Sequence, residues 1–175
     1  MRVGGGELWD DVYRGVEDAN HWLKLLSLDA VEVMGGYAGT VSAVGGWMQG
    51  GGLSDGSERV YGFGADQVLE LEMVLADGQH VKFAPSKWED APGYLYPKTT
   101  EVSGYCNTNV AAAEAEWQWE SCEVAVPWQD LWFAVRGGGG GSYGIVVAAR
   151  LSRRSAPMRY WSRRSETTSW SGMTS

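Results

Sequence analysis

The residues best placed to do chemistry in this chain are its glycines. Between Gly35 and Asp66 they fall in clusters, Gly35-Gly36, Gly45-Gly46 and Gly50-Gly51-Gly52, and a run of five, residues 137–141, follows much later. Glycine costs backbone entropy on folding, so a cluster needs a reason. It can take a positive φ at a tight turn, or its missing Cβ can let a flat or anionic ligand press against backbone N–H groups. Thr40, Val41, Ala43, Val44, Trp47 and Met48 between the clusters suffice for a short helix. The stretch therefore reads as strand, glycine turn, short helix, glycine turn, with backbone donors facing a ligand. Two phosphate-loop patterns are excluded. No Gly-Lys-Ser/Thr follows the glycines, and Gly46 to Gly51 lacks the Gly-x-Gly-x-x-Gly spacing.

Other reactive side chains are sparse. His21 falls near the end of a helical stretch, where the helix dipole favours it, and His80 is a lone imidazole beside a hairpin, read as structural or solvated. No cluster has metal-ligand spacing, and two cysteines, Cys106 and Cys122, exclude a disulfide framework or a four-ligand zinc site. Whether they pair is left open; a ring of about 17 residues would stabilise by about 3 kcal/mol if they do. Asp10, Asp11, Glu17 and Asp18 read as a solvated helix face rather than an acidic site. The net charge of −8 argues against nucleic acid as a partner. No run approaches the length of a membrane span, and MRVGGGELWDD lacks the apolar core of a signal peptide. That predicts an intracellular protein or a chain without its true N-terminus, and the compartment stays unknown.

The elements that must position the glycines are legible from periodicity. Residues 7–23 place Leu8, Val12, Val16 and Leu23 at helical spacing with Trp9 and Tyr13 alongside. A short strand, Val31 to Met34, delivers the first glycines. Leu69, Leu71, Met73 and Leu75 alternate with Glu70 and Glu72, as in a strand; Asp77-Gly78 suits a type I′ turn, and His80 to Phe83 returns. Residues 84–126 show little periodicity and read as a long insertion loop. Residues 127–136 form a short helix burying Leu131, Trp132 and Val135. The glycine run follows and, since the apolar strand Tyr143 to Ala149 comes next, it is expected to cross a ligand or another backbone closely. Arg153, Arg154, Arg159, Arg163 and Arg164 against Glu166 alone mark residues 152–175 as a Ser/Arg-rich disordered tail.

Two blocks carry a resemblance: Gly39-Thr-Val-x4-Gly-x3-Gly-Gly-Gly with Tyr61-Gly-x-x-Ala-Asp-x-Val-Leu-Glu, and Asp130-Leu-Trp-Phe-Ala-Val-Arg-Gly5-Ser-Tyr-Gly-Ile-Val-Val. Together they resemble the FAD-linked oxidases of the berberine-bridge-enzyme type, within the vanillyl-alcohol-oxidase-like (PCMH-type) superfamily. The resemblance covers residues 4–83 and 127–151. It implies an α+β fold, an antiparallel or mixed sheet flanked by helices, forming the second lobe of the FAD-binding domain over residues 1–151. It also implies that Thr40, Val41, Gly46, Gly50, Gly51 and Gly52 line the diphosphate and ribityl side of FAD. Gly144, Ile145 and Val146 would approach the flavin from the last strand, and Asp66 would hold loop backbone.

The family's first lobe, with its flavin-linking histidine, would precede Met1, and its substrate domain would follow residue 151. Ala38 stands where some members link flavin through cysteine, and Gly39 replaces proline. The expectation is a fragment with non-covalent FAD, unknown catalytic residues and little activity alone. In the full-length family the reaction takes hydride from an alcohol, sugar or amine-like small molecule and passes it to oxygen. An accompanying chain would supply the missing lobe. The alternative is a non-catalytic remnant lobe acting as a binding or interaction module.

Overall fold

The structure is a computed structural model that describes residues 1–54, 58–89 and 98–156. Its centre is a six-stranded sheet, antiparallel throughout, in the order β1-β7-β3-β4-β5-β6. The strands run Arg2–Gly4 (β1), Val68–Val74 (β3), His80–Glu89 (β4), Lys98–Asn107 (β5), Trp119–Glu120 (β6) and Ile145–Leu151 (β7). Strand β2 (Ala30–Glu32) pairs separately with β8 (Arg154–Ala156). Among the described residues three α-helices accompany them: α1 (Trp9–Leu25), α2 (Glu58–Tyr61) and α3 (Trp128–Val135).

The core lies on one face of the large sheet, where Val3, Leu71, Met73, Val81, Phe83, Ala149 and Leu151 meet Trp9 and Val12 of α1 and Leu131, Trp132 and Val135 of α3. The α3 face is the one its periodicity predicts. On α1 the buried residues are Trp9, Val12 and Asn20. Asn20 earns its place by clamping β2: its Nδ2 donates to the Val31 carbonyl at 2.9 Å, and its Oδ1 accepts from the Val31 N–H at 2.7 Å. A buried side-chain amide needs such partners.

Four expectations change. Leu69 does not share a face with Leu71. A register shift between Val68 and Glu70 leaves Leu69 exposed and Val68 buried, because a bulge breaks the two-residue alternation. The hairpin 75–79 is not type I′: only Gly78 has positive φ, 86°, and its N–H bonds to Leu75, the pattern of a three-residue loop closed by a bulge. The stretch from 84 onward is strand wherever it is described up to Asn107, extending the sheet through β4 and β5. Cys106 and Cys122 pair, tying the segment after β6 to β5. Finally, residues 154–156 of the expected tail are paired strand; the rest of that tail, 157–175, lies outside the described residues.

Candidate functional site

Strand β1 runs out at Gly4, and the chain passes Gly5, whose N–H bonds to the Val147 carbonyl at 2.7 Å. A side chain at Gly5 would stand 2.2 Å from the Val146 carbonyl oxygen, so only glycine lets β7 lie that close. Ser42 ties this turn to the first glycine block. Its Oγ donates to the Gly5 carbonyl at 2.8 Å and accepts from the Gly45 N–H at 3.0 Å. The N–H groups of Trp9 and Asp10, at the start of α1, donate to the carbonyls of Val41 and Gly39. The glycine loop thus satisfies the open end of α1.

Residues Ala43–Trp47 make a single wide helical turn instead of a regular helix. From its end, Gln49 reaches the second glycine block. Its Oε1 accepts from the Gly141 N–H at 2.8 Å, and its Nε2 donates to the carbonyls of Val44 and Gly45. Gln49 is 5% exposed. Two segments 92 positions apart are joined through one side chain.

The result is an open groove of about 520 Å³, lined by Gly5, Gly6, Gly45, Gln49, Gly141, Gly144, Ile145, Val146 and Val147. Apart from Gln49, its walls are backbone and aliphatic carbon. Gly6 and Gly141 have open space where a Cβ would stand, and Ile145 is 72% exposed. No lining residue titrates. Gly144 is fixed by fit: its φ is 141°, and a Cβ there would sit 2.5 Å from the Val74 carbonyl oxygen.

Of the residues expected to bind, the structure gathers Gly144, Ile145 and Val146 on the groove. Gly46 is exposed next to Gly45, with open space around it. Gly50 and Gly51 occupy the following turn. Gly52 is buried against Gly64 and the Trp47 ring, where its role is close packing. Thr40 and Val41 are exposed on the turn that meets α1. Asp66 does hold loop backbone, accepting from the Phe63 N–H at 2.8 Å. Sequence reasoning missed Gly5, Gly6 and Gln49, whose roles arise from contacts with β7 and Gly141 far along the chain.

His80 lies away from the groove and is structural. Asn107 Oδ1 accepts from the Asn109 N–H, which turns its Nδ2 toward His80 Nδ1 at 3.1 Å. Nδ1 then accepts and Nε2–H donates to Glu72 Oε1 at 3.0 Å. The other Glu72 oxygen accepts from Arg2 at 2.9 Å, and Trp117 and Trp119 pack edge-on to the imidazole. Among the described residues no His, Cys, Asp and Glu group is arranged to hold a metal ion, and no helix is long and apolar enough to cross a membrane.

No family model matches the chain. Among curated proteins it is 34% identical over 151 residues to the FAD-linked oxidoreductase easE of Trichophyton verrucosum and 36% identical over 151 residues to easE of Arthroderma benhamiae. Each match covers 86% of this chain. The VAO-type flavoprotein MtVAO713 of Myceliophthora thermophila superposes with a TM-score of 0.53 at 28% identity, over 88% of this chain and 18% of its own. The resemblance is to FAD-linked oxidoreductases of the VAO type. Berberine bridge enzyme, at 20% identity and a TM-score of 0.53, shares the fold. The chain spans about a fifth of these relatives' length, 17% and 20% for the two easE proteins. The matched portion reaches beyond the two glycine-rich blocks and is similar to one part of these FAD-linked oxidoreductases and of the VAO-type flavoprotein.

Proposed function

We propose that this chain forms part of the FAD site of an oxidoreductase acting on an alcohol, sugar or amine-like small molecule. The observation that carries this reading is the convergence of both glycine-rich blocks on one groove whose walls lack side chains at Gly6 and Gly141. A Cβ at either position would occupy the space a flat cofactor needs, so the residues present fit the group. Gly46 and Gly50, next in sequence to Gly45 and Gln49 of the groove lining, would hold its diphosphate and ribityl side together with Gly51, Thr40 and Val41, while Gly52 packs against Gly64 and Trp47. Gly144, Ile145 and Val146 would face the flavin and keep water from it. FAD, when bound, supplies hydride acceptance, and the protein supplies position and electrostatics.

FAD bound by these residues alone is held without a covalent link through histidine or cysteine. The chain has two histidines and two cysteines. Cys106 and Cys122 are joined to each other, His80 is buried in its network, and His21 lies exposed far along α1. Precipitating the FAD-loaded protein with acid leaves all flavin in the supernatant; yellow colour in the pellet contradicts this.

Among the described residues no titratable side chain lines the groove, so they offer no positioned base or acid. Alone, these residues bind flavin without turnover. Oxygen consumption with sugars, alcohols and amines equals that of free FAD, and a rate clearly above that control would make this chain a self-sufficient enzyme.

A further inference from the structure

We propose that Gln49 is a positioning residue that sets the groove by holding the 137–141 run against the Ala43–Trp47 turn. The proposal rests on the flavin reading and adds the element that organises the site. Its amide is read in both senses. A carbonyl oxygen faces the Gly141 N–H, and an NH₂ faces the Val44 and Gly45 carbonyls. Exchanging the two ends would set oxygen against two carbonyls and nitrogen against an N–H, so the network itself fixes the orientation.

The location makes this more than a buried hydrogen bond. Gly45, Gly141 and Gln49 all line the groove, and Gly141 has positive φ, 78°, with open space where a Cβ would stand. A glycine run without side chains has no packing of its own to fix its path. Its one described side-chain tether to the opposite wall is Gln49.

Two substitutions separate shape from hydrogen bonding. Gln49→Leu keeps much of the volume and removes donor and acceptor. Gln49→Glu keeps the acceptor for Gly141 but, when ionised, sets a carboxylate against two carbonyl oxygens. That contact and burial raise the carboxyl's folded-state pKa above the ordinary ~4.3. The folded state then binds more protons than the unfolded one, so the variant's deficit is full at high pH and shrinks as pH falls through the raised value. The protonated acid can donate to Gly45 and still accept from Gly141.

The experiment follows Gly141 amide exchange by NMR in the unliganded chain and titrates FAD against wild type and both variants from pH 8 to pH 5. Gly141 is protected in wild type and exchanges at least about tenfold faster in Q49L, with FAD affinity reduced about tenfold. Q49E matches Q49L at high pH and regains protection and affinity as pH falls. Unchanged Gly141 exchange in Q49L, or Q49E and Q49L sharing one pH profile, overturns the proposal. Loss of Gly141 protection in Q49L with no FAD binding by wild type overturns the cofactor reading and leaves the clamp standing.

Discussion

Arg136 Nη1 donates to the Ala65 carbonyl at 2.9 Å across 71 positions of sequence. Its Nε donates to Trp132 at 3.1 Å, and its guanidinium lies 4.5 Å from the centre of the Trp132 ring. The Ala65 N–H in turn donates to Gly51 at 3.1 Å. The end of α3 is thereby tied to the turn that carries Gly50 to Gly52. Burial pushes the guanidinium below its ordinary range, and the Asp66 carboxylate opposes that shift.

Replacing Arg136 by Met leaves the Ala65 and Trp132 carbonyls without their donor. Urea denaturation gives a loss of about 2 kcal/mol. Arg136→Lys recovers only part, because an ammonium lacks the planar fork that reaches both carbonyls over the ring. Equal stability of the Lys variant and wild type would contradict this role.

The disulfide is expected to matter for the sheet edge. Strand β6 has two residues, and its pairing with β5 begins at Cys106 itself. Reducing Cys106–Cys122 lowers unfolding free energy by about 3 kcal/mol and changes tryptophan emission as Trp119 leaves His80. A urea midpoint unmoved by reductant would show that β6 holds without the bond.

Glu72 is 8% exposed and serves His80 and Arg2 at once. Glu72→Ala strands the buried His80 Nε2–H, while Arg2, which is exposed, keeps Glu114 at 3.1 Å; the loss is about 1–2 kcal/mol, the scale for one unsatisfied buried donor. Glu72→Gln keeps one acceptor and costs less. Comparable denaturant midpoints for both variants and wild type would mean that the network contributes nothing.

The chain boundary drawn from composition also has a test. Stopping the chain after Ala156 keeps β8 on β2 and leaves the thermal midpoint in place, whereas stopping after Leu151 removes that pairing and lowers it. Identical midpoints for the two truncations would show that β8 is dispensable.

How much of this was legible in sequence follows the range of the interactions. Helix α3 and its buried Leu131, Trp132 and Val135 follow from local periodicity, as does strand β7. Leu69 and Glu72 defeat the pattern because a bulge and a second one between Glu72 and Met73 shift the alternation; the pairing that makes them is nonlocal. The strands after Pro85 carry Lys87, Trp88 and Glu89 exposed at the sheet's far end, so no alternation announces them. In the site, glycine spacing pointed to the two blocks but not to what joins them. Gln49 finds Gly141 only once the sheet has brought β7 beside β1.

The central claim is that this groove takes FAD, and Gly6 gives the cleanest probe. It lines the groove, has no positive φ and has open space around it, so Gly6→Leu fills the cradle without disturbing the fold. The measurement is a flavin-fluorescence titration of FAD with wild type and Gly6→Leu, with circular dichroism melts in parallel. Wild type binds FAD saturably, and Gly6→Leu melts at the same temperature yet binds at least about tenfold more weakly, a difference of about 1.4 kcal/mol. Absence of saturable FAD binding by wild type, or equal affinity in the two proteins, contradicts the account.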